Sequence, residues 1–445
     1  MGLFDLFKKQ APETSPAHER YLKAKAAFEK KEYQEALGLL IEAFNQDVDY
    51  MPLYRLSADC LGTLGGQDEQ QFFEQALATP GQFEAYQQLG EHFFQVEHFR
   101  MAMPFLKKAL SLNSTHVNTA HLLAVCYAKE FQVDEALRIL ESIDLQKDFW
   151  AVHFLNKCRI LNNKLEGVKE EIYGIRSFLE KYKDDPGMEV PIRHIDELTD
   201  MLYRCRLIAA PEKHIRDWHF IQYGGVVLDY FDSADQYVAG GRYVALWGNH
   251  VSIKTVIHKL RIFLDTVDRN IRVVAGLPDR DSEITGRAVA AELGCSYITY
   301  NQNSDLSDAL IVSADTSLLN GYGELEEVKN GQLIFTLNHS WLGSALITPD
   351  IIGFMSQSYW YPWGEGQMRI NETTQEVEHT PADNRTPAEI ANDIHHAPAE
   401  EKDLATQMDF YRKHAHALKG IGEHATLRRY NFLTESPVPG SYFRH

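Results

Sequence analysis

The sequence predicts an all-α array of helical repeats followed by an α/β domain with a parallel or mixed sheet. Three observations lead there. One position recurs through the first third of the chain, small in three of its four copies, in the series Ala43, Ala76, Ala109 and Ile143, with gaps of 33, 33 and 34 residues. After Trp218 the texture changes to short apolar runs that alternate with stretches of helical period. The composition is that of ordinary globular domains, 44% hydrophobic and 24% charged, over a 445-residue length that exceeds one core.

The repeats are clearest in two copies offset by 34 residues. Tyr86, Leu89, Gly90, Phe93, Ala102, Leu106 and Ala109 in the first correspond to Ala120, Leu123, Ala124, Tyr127, Ala136, Leu140 and Ile143 in the second. Upstream, Ala36, Leu40 and Ala43 match the second half of the same unit, and Leu53, Leu56, Cys60 and Ala76 fit a degraded copy. One such unit cannot bury its own apolar face, so units must stack. The order of an aromatic, Leu-Gly, Tyr, Ala and then a bulky residue resembles the tetratricopeptide repeat (TPR) family over about residues 17–145. That resemblance implies paired helices, with Gly90 and Ala124 small where two helices of a unit cross. Ala102 and Ala136 are small where the next unit packs. It also implies a concave groove that takes a protein or peptide. The sequence departs from the family where Ser114 stands in place of a closing proline, and where Arg20, Lys23 and Ala27 stand in place of bulk.

Helical period continues through residues 146–210, where divergent or capping helices are expected: Val152, Leu155, Cys158 and Leu161, then Val168, Ile172, Ile175, Phe178 and Leu179. Asp185-Pro186-Gly187 breaks the run before Ile192, Ile195, Leu198, Met201 and Leu202, and residues 209–213 read as a hinge. The α/β domain is placed at 215–365. Its strands are expected at 219–230, 242–247, 271–277, 296–300, 309–313 and 332–337, with helices at 251–267 and 282–293, the latter stopped by Gly294. Polar residues follow these strands: Asn249 and His250; Asp279, Arg280 and Asp281; Asp315 and Thr316; Asn338 and His339. Ligands of open α/β sheets bind at carboxyl ends of strands, which makes these residues, with Arg287, the candidate ligand set. The same residue types also cap helices, Ser282 followed by Thr285 and Arg287 offering an N-cap region for the helix that follows.

Residues 273–293, with the Pro-Asp-Arg-Asp turn and the segment from Gly286 to Gly294, resemble the phosphoribosyltransferase fold. That resemblance implies a later strand running into a loop that holds a ribose 5-phosphate, here residues 311–317 with Asp315 and Thr316. The second acid and the Thr-Gly pair of that family are missing, which implies a non-catalytic relative. A small phosphate-bearing ligand is the corresponding expectation.

Other signals exclude. The net charge of −19 argues against nucleic acid. The cysteines Cys60, Cys126, Cys158, Cys205 and Cys295 form no C-x-x-C pair, and no apolar run is long enough for a membrane span, so a reduced, cytoplasmic protein is expected. There is no P-loop, no G-x-G-x-x-G after a strand and no G-x-S-x-G elbow. His395, His396, His414, His416 and His424 lack metal-ligand spacing, and no motif names a cofactor. The cluster Tyr359, Trp360, Tyr361, Pro362 and Trp363 reads as a plug of a domain edge or a docking patch. Residues 366–402 read as an acidic mobile linker, and 403–445 as a helix from Leu404 to Leu418 with an aromatic tail of Tyr430, Phe432, Leu433, Tyr442 and Phe443, able to lie in a groove of the same chain. Residues 1–16, with Phe4 and Phe7, read as a terminus resting loosely on the first repeat.

Two functions compete. One is a scaffold or adaptor whose repeats bind a partner and whose α/β domain is a second recognition or ligand-sensing unit. The other is an enzyme, phosphoribosyltransferase-like or of other phosphate chemistry, working through Asp279, Arg280, Asp281, Asp315 and His339. The absence of any complete catalytic motif favours the first.

Overall fold

The computed structural model describes residues 15–438 apart from 146–147, 209, 232–237, 330, 366–367, 371–376 and 380, together with Gly440 and Tyr442. The expectations for Phe4, Phe7 and Phe443 therefore fall outside the described residues. The chain divides into two compact units, Met1–Cys158 and Arg159–His445.

The first unit is a stack of helical hairpins: α1 (His18–Glu29) with α2 (Tyr33–Gln46), α3 (Pro52–Leu64) with α4 (Gln67–Ala78), α5 (Phe83–Gln95) with α6 (Phe99–Leu112), and α7 (Val117–Lys129) with α8 (Val133–Glu141). Then α9 (Phe149–Leu161) follows. Each hairpin turns on one left-handed residue: Lys31, Gly65, Glu97 and Phe131, with φ of 66°, 87°, 59° and 60°. The recurrent small residues sit at the crossings, with Ala36, Ala43, Ala102, Ala109, Ala124 and Ala136 fully buried and Ala76 nearly so. At Gly90 a Cβ atom would stand 2.6 Å from Leu106, so only glycine lets α5 and α6 approach this closely. Tyr86, Leu89, Phe93, Leu123 and Tyr127 fill the spaces between.

The degraded second copy has a physical counterpart. Helices α2 and α6 meet directly, Phe44 and Phe105 lying 4.9 Å apart within a cluster that includes Tyr54 and Phe73. Pro104 inside α6 has no N–H to give the Arg100 carbonyl. Asn45 of α2 donates to that carbonyl instead, at 3.3 Å.

The second unit begins with α10 (Val168–Leu179), α11 (Glu189–Leu207) and α12 (Ile215–Tyr223). Its strands are β1 (Val226–Asp229), β2 (Val238–Ala239), β3 (Arg242–Trp247), β4 (Val273–Gly276), β5 (Ser296–Thr299), β6 (Ala309–Asp315), β7 (Leu333–His339) and β8 (Ile351–Trp360). They form one sheet in the order β2-β3-β8-β7-β6-β4-β5, and β1 also pairs with β8. All these pairings are parallel except β2 with β3. Buried β6 and β7 read as continuous apolar runs because helices or loops cover both faces. Helices α13 (His250–Thr266) and α14 (Arg280–Leu293) make the crossovers after β3 and β4. Strand order reverses at β4: the chain runs outward to β5, then returns to β6, β7 and β8 on the other side.

Four expectations are corrected. Residues 219–230 are not one strand: α12 runs to Tyr223 and stops at left-handed Gly224 (φ 73°). Its aromatics face the interior along a helix, a texture that a short apolar run shares with a strand. Strand β8 adds to the expected set, its end carrying the aromatic residues that otherwise read as a plug. The stretch 366–402 holds the hairpin β9 (Met368–Ile370) and β10 (Val377–His379), and a helix α15 (Pro387–His396) with a Thr386–Glu389 capping box. Asp279, not Ser282, caps α14, accepting the Ser282 amide at 2.9 Å.

After α16 (Leu404–Lys413) and α17 (Ala415–Leu418) the tail returns across the unit. Arg428 bridges to Glu327 and Phe432 to Ala345 in antiparallel fashion. Fully buried Arg429 grips fully buried Asp350 at 2.9 Å and donates to the carbonyls of Leu325, Glu327 and Gln332. Tyr430 and Phe432 are buried beneath it.

Candidate functional site

The candidate residues of the sheet separate into a cluster and outliers. Asp315, at the end of β6, accepts the Ser317 amide through Oδ1 at 2.9 Å and the Asn338 amide group through Oδ2 at 3.0 Å. Asn338 Oδ1 in turn accepts the Ser356 hydroxyl at 2.6 Å. Thr316 and His339 Nδ1 lie 2.9 Å apart. Asn338, His339 and Thr316 are all buried. The neighbouring strand end contributes Asp279 as the α14 cap and Asp281, while Ser282 Oγ accepts the Ala314 amide at 2.9 Å and ties that helix to β6.

The crevice where strand order reverses is filled from within. Tyr361, just past β8, donates to the Ala314 carbonyl at 2.9 Å, and Trp363 donates to Asp281 at 2.7 Å. Burial pushes the Tyr361 hydroxyl well above its usual range, and Asp315, Tyr359, Asp281 and Asp279 add to the push. The aromatic run thus plugs the strand ends. The carboxylates serve as caps and as acceptors for backbone, side-chain amide and indole N–H groups.

The other candidates stand apart. Asn249 caps α13, sharing a reciprocal capping box with Ser252, and His250 opens that helix. Arg280 donates to the carbonyls of Asp383 and Arg385. Arg287 pairs with Glu283 at 2.8 Å and lies over Tyr297. No hydrogen bond among the described residues joins Asn249, His250 or Arg287 to the Asp315 cluster.

Burial holds two imidazoles neutral. His339 is pulled down to about 4, and His219 falls well below its ordinary value through burial, with His339 and Arg204 adding to the effect. Phe432 of the tail packs on the His339 ring at 4.2 Å. Among the described residues no group of three or more His, Cys, Asp or Glu could hold a metal ion, and no helix is long and apolar enough to cross a membrane.

The first unit offers a different surface. Helices α5 and α7 stand side by side and expose a ladder that the repeat spacing did not single out. Glu91 Oε1 accepts from Gln87 at 2.8 Å on its own helix and from Asn118 on α7 at 2.9 Å. Leu122 and Val125 are half-buried beside it, as is His121, whose ring packs at 5.8 Å on Phe154. Burial lowers the His121 pKa. The signal that could have revealed this surface is the set of α5 and α7 positions left over once the packing residues are assigned.

No family model and no curated protein matches the chain. Among solved structures it is similar to YrrB, described as a TPR protein with an unusual peptide-binding site, at 18% identity and a TM-score of 0.23, over 41% of this chain and 92% of that one. It is similar to TTC0263, a thermophilic TPR protein in Thermus thermophilus, at 16% identity and a TM-score of 0.24, over 40% of this chain and 98% of that one. MamA MSR-1 C2 matches at 16% identity with a TM-score of 0.21, over 41% and 96%. These likenesses are too distant to transfer a partner. None of them concerns a phosphoribosyltransferase.

Proposed function

We propose that the chain is a protein-interaction scaffold whose hairpin array docks a protein or peptide segment on the α5–α7 face. The carrying observation is the Gln87–Glu91–Asn118 ladder beside half-buried Leu122 and Val125. Such a face offers apolar area for side chains and amides for an extended backbone, on a rigid support of buried alanines. The second unit acts as a further recognition module. The enzyme reading loses support because Asp279, Asp281 and Asp315 are engaged in caps and with Trp363, and Tyr361 is bonded to the Ala314 carbonyl next to Asp315.

Selection of peptides from a displayed library on the full chain tests this. The reading predicts that selected peptides lose at least about tenfold in affinity on Leu122→Glu or Val125→Glu. Peptides whose affinity ignores both changes would place docking elsewhere.

A further inference from the structure

Away from the plugged strand ends, a cleft of about 490 Å³ lies beside the end of β1, between the start of α12 and α16. Arg216 lines it, its guanidinium carbon 4.3 Å from the Tyr230 ring centre and 4.9 Å from that of Phe410. Two rings therefore flank the guanidinium. Its Nε donates to His214 at 3.2 Å, while its terminal nitrogens meet no acceptor among the described residues. Asp217, only 5% exposed, lines the same cleft. One of its carboxylate oxygens accepts the Glu212 amide at 2.7 Å, and the other has no partner among the described residues. His414, 8% exposed, also lines the cleft, its ring against Phe410 and its ring nitrogens making no hydrogen bond among the described residues.

Arg216 and Asp217 are adjacent in sequence, yet no ion pair joins them among the described residues: one is held by rings, the other by a backbone amide. A nearly buried carboxylate oxygen without a partner is costly, and half-buried Arg216 sets the opposite charge in the same cleft. Lys413 adds a cation, and exposed Glu212 and Asp409 add acids at the rim. A ligand of a single charge would satisfy one half and repel the other.

We propose that this cleft binds a small zwitterion of the amino-acid class, its carboxylate on the Arg216 fork beside Lys413 and its ammonium on Asp217. The planar fork matches a carboxylate in two parallel hydrogen bonds. The volume is in the range of small-molecule sites. Burial, with Lys413 next in effect, lowers the His414 pKa, so near pH 7 its ring serves as a neutral hydrogen-bonding wall. This inference goes beyond the docking function and does not depend on it.

The test is calorimetry on the full chain with the twenty free amino acids. Succinate and inorganic phosphate are the anion-only controls, and 1,5-diaminopentane the cation-only control. The expected result is one-to-one binding of at least one amino acid, with each control at least about tenfold weaker. Arg216→Gln and Asp217→Asn should each weaken that binding by at least about tenfold. Asp217→Asn keeps an oxygen for the Glu212 amide, and Lys413→Ala, at an exposed position, should weaken binding without lowering the unliganded melting temperature. Failure of every amino acid to bind overturns the proposal. So does succinate or phosphate binding as tightly as the best amino acid, or affinity that ignores all three substitutions.

Discussion

The hairpin array and the carboxyl ends of the sheet use polar and small residues in opposite ways. In the array, small side chains are spent inside, at helix crossings such as Gly90 against Leu106, and polar ones such as Gln87, Glu91 and Asn118 are left on a face. At the sheet the polar residues are spent inside, on caps and backbone amides, and aromatic rings close over them. A row of polar side chains at strand ends is therefore no sign of an open site until one knows what sits above it.

Four predictions sharpen or break that contrast. The largest concerns the tail that closes the second unit. Arg429→Ala leaves the Asp350 carboxylate buried without its partner and should cost about 3–5 kcal/mol. Urea unfolding read by tryptophan fluorescence measures it, since five of the six tryptophans lie after residue 158. A loss below about 1 kcal/mol would show that the tail is dispensable to the fold.

Next comes pH. An imidazole in the unfolded chain gains its proton near pH 6.5, and buried His339 gains one only near pH 4. The unfolded state binds more protons in that window, so stability falls as pH drops through it, by up to about 3 kcal/mol. Comparing urea midpoints at pH 7 and pH 5 checks the sign. Greater stability at pH 5 would mean that His339 is not sealed.

The third prediction probes the array. Gly90→Val drives a branched side chain into Leu106 and should cost about 2 kcal/mol, seen as an earlier loss of helical circular dichroism. The smallest effect belongs to the plug. Tyr361→Phe removes the bond to the Ala314 carbonyl and should cost about 1 kcal/mol in urea. An unchanged midpoint would argue that the ring merely rests over the crevice.

Much of this was legible in the sequence. Alanines spaced by 33 or 34 report helix crossings because only small side chains fit there, and that constraint repeats with the unit. Strands β4, β6 and β7 were legible as buried apolar runs, and half-buried β3 as a shorter apolar stretch. Residues 219–223 were not, because Trp218, Phe220 and Ile221 are buried on every side of a short helix and leave no period to read. The convergence of Asp315 with Asn338 was foreseeable from strand ends. The bond from Tyr361 to the Ala314 carbonyl was not, since it depends on where β8 lies in the sheet. The α5–α7 ladder escaped notice because its members are ordinary polar surface residues until two helices bring them side by side.

The most direct test of the docking account is hydrogen exchange on the full chain with and without a library-selected peptide. The account predicts slowed exchange within residues 83–129, with residues 309–339 unchanged. Protection confined to residues 309–339 would contradict it and return the search to the strand ends.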